Sequence, residues 1–297
     1  MKIVCVLGGT GFVGSAIVRQ LNDAGYLVKV LSRNCDNGRH FANLTNVQVI
    51  ACDLFNDQSL RENLTGANIV INLVGILHES KKMSFDQIHA SLPERVANVC
   101  WELGIPRLLH MSALQASSNA PSNYLRSKSK GEQAIYKHAD HINITIFRPS
   151  VIFGKDDNFI NLFAKLVKIL PIIALAKPNA KFQPIYVEDV ATAFVNAIEE
   201  ARTFGKTYEL AGPKIYSLRA IIKLVAKALN KHRLVIGLSD KLSYLQAGML
   251  ELLPIKMMTR DNVRSMEVDS VSHQGFPDYL DFKPSALEEI LPSYINQ

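Results

Sequence analysis

Apolar and polar positions follow two rhythms along the first half of the chain. Short runs rich in β-branched residues (Ile3 to Leu7, Leu27 to Leu31, Val47 to Cys52, Asn68 to Leu73, Arg107 to Met111 and Asn143 to Phe147) are largely hydrophobic, as strands buried on both faces are. Between them lie stretches of helical period: Phe12 to about Ala24, Asp57 to Leu64, Asp86 to Leu103 and Tyr124 to His138. Gly25, Gly66 and Gly104 stand at or just past three of their ends, where a helix is expected to stop. Strands alternating with helices predict right-handed βαβ crossovers and a parallel sheet covered on both faces. After Gly154 the pattern loosens. Pro184 to Val187 reads as a strand, Val190 to Ala201 as a helix, and residues 207–210 and 234–236 as short strands of a smaller lobe. The expected division is 1–154, with 184–206 returning to it, and a smaller lobe over 155–297.

The first junction carries the first chemical signal. The strand Ile3 to Leu7 runs into Gly8-Gly9-Thr10-Gly11-Phe12-Val13-Gly14 and then into a helix. A turn of this kind needs backbone angles that a Cβ forbids, and a diphosphate approaches main-chain N–H groups most closely where no side chain intervenes. The N–H groups and the positive end of the helix then hold the anion. Two glycine registers fit, beginning at Gly9 or at Gly8. Their place between a strand and a helix predicts dinucleotide binding by Gly8, Thr10, Gly11, Phe12, Val13 and Gly14. The fold expected is α/β, a Rossmann-type doubly wound parallel sheet with a smaller C-terminal α+β lobe. Residues just past the strand ends, Arg33, Asp53, Val74-Gly75 and Ser112, should converge there.

The end of the second strand bears on which nucleotide binds. An NAD site places a carboxylate about 20 residues beyond the glycine turn, whereas an NADP site accommodates Arg. Here the residues are Ser32 and Arg33. A guanidinium can pair with a 2′-phosphate through two parallel hydrogen bonds and stack on adenine. NADP(H) is favoured, and Asp36 nearby keeps NAD(H) open.

Tyr124 and Lys128 are four residues apart, on one face of a helix. The spacing recurs at Tyr279 and Lys283, but no strand-end donor precedes that pair. Tyr124 follows a strand ending at Ser112. These three groups allow hydride chemistry, with Tyr124 as general acid–base, Ser112 bonding the same substrate oxygen and Lys128 gripping the ribose of the nicotinamide. A phenol titrates near pH 10, and bringing it to about 7 needs roughly 4 kcal/mol; Lys128 is expected to supply part of it.

Composition narrows the classes. Of 297 residues 48% are hydrophobic and 20% charged, with a net charge of +6. The chain is globular, and its basic residues form no long block, which argues against nucleic-acid binding. Cys5, Cys35, Cys52 and Cys100 have no C-x-x-C spacing, a reduced-thiol pattern. No transit sequence is recognisable and no apolar run reaches the length of a spanning helix. Phe159 to Ala176, broken by Lys165, Lys168 and Pro171, reads as buried helix and loop or as a surface-lying membrane contact. The expected location is cytoplasmic, at most peripheral at the inner membrane surface. His138 and His141 have metal-like spacing without a third ligand, so no metal is expected. Met249 to Met258 reads as core filler, and His78-Glu79 as a loop pair or a substrate contact.

These motifs together resemble the extended and atypical short-chain dehydrogenase/reductases over nearly the whole chain. They are the glycine turn, Cys52-Asp53-Leu54, Asn72-Leu73-Val74-Gly75, Ser112, Tyr124 with Lys128, Arg148-Pro149 with Gly154, and Tyr186 to Val190. By that resemblance Asp53 and Leu54 flank the adenine, Val74 and Gly75 line the nucleotide, and Pro149, Ser150, Val151 and Ile152 contact the nicotinamide. Asn72 to Glu79, Tyr124 to Lys128 with Gly131-Glu132, Phe153 to Phe159, and Leu253-Pro254 through Thr259-Arg260-Asp261 are similar to one branch. That branch is the nucleotide-binding accessory subunit of respiratory complex I with its free-standing bacterial relatives. In that subunit the nucleotide is held as structure; the bacterial relatives are linked to quinone metabolism. Eleven residues separate Ser112 from Tyr124, short for a sugar-nucleotide epimerase or dehydratase, and His89-Ala90 stands where many extended members carry Asn. The resemblance therefore implies either an oxidoreductase on a small apolar, quinone-like molecule or a non-catalytic subunit or assembly factor contacting a respiratory complex. A nucleotide-sugar epimerase or dehydratase is the third alternative.

Overall fold

The computed structural model describes residues 1–253 and 257–296. Pro254 of the Leu253-to-Asp261 motif and the middle of the Met249-to-Met258 stretch lie outside the described residues. In chain order the first half contains β1 (Ile3–Leu7), α1 (Phe12–Asp23), β2 (Leu27–Ser32), β3 (Val47–Ala51), α2 (Asp57–Leu64), β4 (Ile69–Asn72), α3 (Leu92–Glu102), β5 (Arg107–Met111), α4 (Asn123–Tyr136) and β6 (Asn143–Pro149). The remainder contains β7 (Ile152–Phe153), α5 (Ile160–Ile169), β8 (Ile172–Leu175), β9 (Lys181–Phe182), β10 (Ile185–Tyr186), α6 (Val187–Ala197) and β11 (Lys206–Leu210). It continues through β12 (Tyr216–Ser217), α7 (Leu218–Ala228), β13 (Leu234–Gly237), α8 (Asp240–Leu250), α9 (Arg260–Ser265) and α10 (Leu287–Ile290).

Seven strands form one sheet in the order β11-β6-β5-β4-β1-β2-β3, every neighbouring pair parallel. The order reverses between β1 and β4, and the crevice outside such a switch point is where doubly wound sheets take their ligands. One face packs residues of α1 and α6, among them Ile17, Leu21, Val190 and Phe194, on Val4, Val6, Ile71 and Leu109. The other packs α2, α3 and Ile135 of α4 on Cys5, Leu7, Val70 and Leu108. A third cluster joins α5, β8 and α7 to Leu287, Leu291 and Tyr294 and forms the core of the smaller lobe.

Three expectations are corrected. Residues 207–210, expected in the smaller lobe, are the edge strand β11 of the main sheet, where Tyr208 sits in register with Phe147. The β-run at Pro184 to Val187 shrinks to Ile185–Tyr186, pairs with β7 outside the main sheet, and gives way to α6 at Val187. The helix read over Asp86 to Leu103 exists, but its first turn, Asp86–Ser91, is a wide π-helical turn. That turn meets α4 at Gly131, where a Cβ would collide with the His89 carbonyl oxygen.

Candidate functional site

The glycine turn is held by contacts that leave no room for side chains. Gly8 has φ of +80°, and a Cβ there would lie 3.2 Å from the Leu73 carbonyl carbon and the Val74 nitrogen. Gly9 is enclosed by Val30, Val18 and Val6, and a Cβ on Gly14 would overlap the Gly8 carbonyl oxygen. The Gly11 N–H closes the turn on the Gly8 carbonyl at 3.1 Å. At the N-terminus of α1 no side chain accepts from the free N–H groups, and its first turn has no acid. An anion there satisfies both the N–H groups and the dipole. Thr10 is half-buried, Gly11 exposed and Val13 buried, while Phe12 reaches across to Gly154 at 3.2 Å from a Cβ placed there.

At the end of β2 the Ser32 hydroxyl donates to the Asn34 carbonyl at 2.8 Å and so shapes the turn. Arg33 is exposed, and its guanidinium donates to the Met83 sulfur at 3.5 Å. Asp36 is engaged by Arg39 at 2.8 Å. Asp53 is exposed and its carboxylate accepts from the Phe55 N–H, while Leu54 is buried under the β3 end.

Opposite the glycine turn, Ser112, Tyr124 and Lys128 are brought to one place. The sheet pairing continues past β5, since the Ser112 N–H donates to the Phe147 carbonyl at 2.7 Å and the Leu114 N–H to that of Pro149 at 2.9 Å. The Lys128 ammonium donates to the Met111 carbonyl at 3.1 Å, and its nitrogen is 3.3 Å from a Cβ built on Gly75. The Ser112 hydroxyl is buried and finds no partner; neither does the Asn72 amide nitrogen one strand away. A buried polar group left unpaired costs about 1–3 kcal/mol, so a polar ligand reaching these atoms would relieve that cost.

Burial sets the protonation of this cluster. It pulls Lys128 down to about 8 and pushes the Tyr124 phenol up to about 12. The expected lowering of Tyr124 by Lys128 is absent, because removal from water outweighs everything else acting on the phenol. His89 and His110 are pulled down to about 2 and about 3, first by burial and then by the Lys128 charge.

Two residues that the sequence did not mark for this role hold Tyr124 in place. His89 is buried, accepts from the Ile76 N–H at 3.0 Å and meets the Ser127 hydroxyl at 2.9 Å. Its ring lies edge-on to Tyr124 with centroids 5.4 Å apart. Asp261 comes from α9, and its two carboxylate oxygens accept from the Asn123 and Tyr124 N–H groups at 2.8 and 3.0 Å. A carboxylate at a helix N-terminus is a signal the sequence can carry, but here it arrives from 138 residues away. On the mouth of the site Tyr124 and Val268 pack against Ala113, Ala120 and Leu125, an apolar wall.

Not every other expected site residue is turned toward this cluster. The Ser150 hydroxyl donates to the Ser270 carbonyl at 2.9 Å and so faces the C-terminal segment. Pro149 is buried in β6, with Val151 and Ile152 half-buried beyond it. Val74 is half-buried and Gly75 exposed at the β4 end. His138 bonds Asn98 at 2.7 Å, and among the described residues no cluster of His, Cys, Asp or Glu could hold a metal. Glu79 accepts from the Phe85 N–H at 2.8 Å and belongs to its loop. Met249, read as core, is 65% exposed.

Residues 4–211 match the NAD dependent epimerase/dehydratase family. The chain belongs to that family. A family relative, the mitochondrial NADH dehydrogenase [ubiquinone] 1 alpha subcomplex subunit 9 of Mus musculus, is 33% identical over 230 residues, 75% of this chain and 60% of that protein. A ceramide reductase of Caulobacter vibrioides is 28% identical over 193 residues, 65% of this chain and 60% of that protein. The chain thus spans about 60% of the length of the curated relatives it matches. The epimerase/dehydratase fold itself is shared with an NADPH-dependent quinone oxidoreductase of Escherichia coli solved with NADPH. Their TM-score is 0.81 at 18% identity, covering 99% of this chain and 100% of the other.

Proposed function

We propose that the protein is an NADP(H)-dependent oxidoreductase acting on a carbonyl or hydroxyl of an apolar, quinone-like or lipid-like molecule. The observation that carries this reading is the lodging of the Lys128 ammonium against the Met111 carbonyl, one turn from Tyr124 and beside the unpartnered Ser112 hydroxyl. The glycine turn and the free first turn of α1 would hold the diphosphate, Arg33 a 2′-phosphate, and Lys128 the ribose of the nicotinamide. When bound, the reduced nicotinamide supplies a hydride to the carbonyl carbon. Ser112 donates a hydrogen bond to the substrate oxygen, and Tyr124 gives that oxygen its proton as charge develops. A phenol held near 12 is protonated throughout the neutral range, which suits reduction better than oxidation. The apolar wall around Tyr124 and the ceramide reductase among the relatives support an apolar substrate.

A second reading has its own support. The relation to the mouse NADH dehydrogenase subunit favours a protein that holds NADPH without turning it over, as an accessory subunit or assembly factor of a respiratory complex. The test is to purify the protein, identify the nucleotide it retains, and follow its absorbance during addition of quinones and long-chain carbonyl compounds. Oxidation that disappears in Tyr124→Phe, with NADPH affinity retained, supports the enzyme; a bound NADPH inert to the whole panel supports the subunit.

A further inference from the structure

Helix α8 is set with its small residues inward. It buries Ser243 and Ala247, four residues apart, and turns Leu242, Leu245 and Met249 to the outside. The arrangement is anchored: the Ser243 hydroxyl donates to the Ser239 carbonyl at 2.9 Å and accepts from the Lys177 N–H at 3.2 Å. Just beyond α8, Leu252 is 86% exposed. The β8–β13 pair shows the same excess. Its outer face carries Ile172 and Leu234 in register, with Ile236 beside them, all about half exposed or more. Ile169 and Leu170 lead into it, Ile169 at 75% exposure.

The two surfaces are continuous. β8 gives its Leu175 carbonyl to β13 through the Leu238 N–H, and its Ala174 carbonyl, on the opposite edge, accepts from the Gln246 side chain of α8 at 3.0 Å. α8 therefore touches the free edge of β8 through Gln246, and the segment just after β8 through Ser243. Apolar patches of this extent on a folded protein mark a docking surface.

Charge identifies what docks. Residues 158–187 and 210–239, which build α5, β8, α7 and β13, contain ten of the chain's 33 Lys and Arg and none of its 27 Asp and Glu, and three of the ten, Lys177, Lys181 and Lys214, pair with Asp240, Asp269 and Glu288 from outside those stretches. The rest of the chain is consequently net acidic. Lys165, Lys168, Lys231 and Lys241 are exposed around the apolar face. A second copy would bring the same concentration of positive charge against this one. We propose that this end of the smaller lobe lies on an anionic lipid bilayer, its apolar side chains entering the headgroup boundary and its lysines pairing with lipid phosphates. That is the chemistry of interfacial binding: apolar insertion added to attraction for acidic headgroups. No helix among the described residues is long and apolar enough to cross the membrane, so the contact lies on the surface. The inference goes beyond the redox reading and does not depend on it.

The experiment is co-sedimentation of the full chain with vesicles of phosphatidylcholine alone or mixed with phosphatidylglycerol. Partition onto the mixed vesicles should be about tenfold stronger or more and fall with added salt. Met249→Asp with Leu252→Asp should abolish it, and Lys165→Glu with Lys231→Glu should remove the salt-sensitive part. All four side chains are exposed and none belongs to the proposed nucleotide site, so NADPH titration should be unchanged in both variants; loss of NADPH binding in wild type would count against the redox reading alone. Equal partition onto both vesicles overturns the proposal. So does binding that survives the double aspartate variant, or a dimer in solution that the same variant dissociates. Capture of a purified acidic protein in preference to the vesicles would also overturn it.

Discussion

His89 Nδ1 and Ser127 Oγ lie 2.9 Å apart in a bond whose direction is fixed from both ends. On one side Nε2 accepts from the Ile76 N–H, so the ring is neutral and carries its proton on Nδ1. On the other, the Ser127 hydroxyl donates to the Tyr124 carbonyl at 2.7 Å and is left to accept from His89. One imidazole thereby ties the loop after β4 to the turn of α4 that carries the phenol. His89→Ala should cost about 1–3 kcal/mol, read by urea unfolding, and should lower kcat more than it raises KM for NADPH. His89→Gln should recover part of both. An alanine variant as stable and active as wild type would remove His89 from any positioning role.

Acid should expose the same residue. His89 in the folded chain titrates at about 2 and His110 at about 3, against about 6.5 for an unfolded histidine. The unfolded chain takes up protons first, so the stability is present above about pH 6.5 and lost as pH falls toward the folded values. Each histidine contributes about 1.4 kcal/mol per pH unit over that window. Between pH 6 and 4 the wild type should therefore lose stability more steeply than His89→Gln by about one proton. Parallel curves would show that His89 is not held neutral.

Lysine sets the alkaline side. Burial holds Lys128 at about 8, so its charge is present below that pH and is lost as pH rises through it. The reductive kcat/KM should fall above about pH 8, and Lys128→Arg should move that limb upward at a lower maximum, because a guanidinium does not fit where an ammonium does. A wild-type profile flat to about pH 10, beyond the shifted value and near the ordinary lysine range, would refute the assignment.

On the proposed reading, nucleotide preference rests on Arg33. A charge-assisted pairing with a 2′-phosphate is about twice as strong as a neutral hydrogen bond, and hydrogen bonds to charged groups contribute about 1.5–3 kcal/mol. Arg33→Ala should weaken NADPH by roughly 10- to 100-fold and leave NADH nearly unchanged, as measured by fluorescence titration. Equal losses for both would place Arg33 outside the nucleotide site.

At Gly14 the outcome should be more severe. A methyl there overlaps the Gly8 carbonyl, so Gly14→Ala must push α1 away from the turn. Overpacking of this kind costs about 1–3 kcal/mol, and titration should show NADPH affinity falling together with thermal stability. Gly25→Ala makes a useful contrast: nothing lies within 4 Å of its Cβ, but its φ is +81°, so it should lower stability through backbone strain and spare the affinity.

The main sheet was legible because its strands are short, continuous and buried on both sides, and because Gly8 to Gly14 stand at a strand–helix junction. The placement of Lys128 against the end of β5 was legible for the same reason: Ser112 follows a strand end, and Tyr124 and Lys128 lie one helical turn apart. The strand at 207–210 was assigned to the wrong lobe because its pairing with β6 depends on a segment 61 residues earlier, which periodicity does not reveal. The phenol's pKa was misjudged because spacing shows the nearby ammonium and not the removal of water. Asp261 and the outward face of α8 escaped for a related cause. A cap arriving from another lobe has no local signature, and an apolar helix reads as core until the structure shows which side faces in.

The capping of Asn123 and Tyr124 by Asp261 has a consequence for how the molecule is made. β1, the glycine turn and α1 are all complete within the first 23 residues of the chain, whereas the carboxylate that seats Tyr124 is translated only at residue 261. Every group proposed to hold the coenzyme, from Gly8 to Lys128, has thus left the ribosome well before the carboxylate that aims Tyr124 is made. On that reading carboxy-terminally clipped forms would be binders without being reagents.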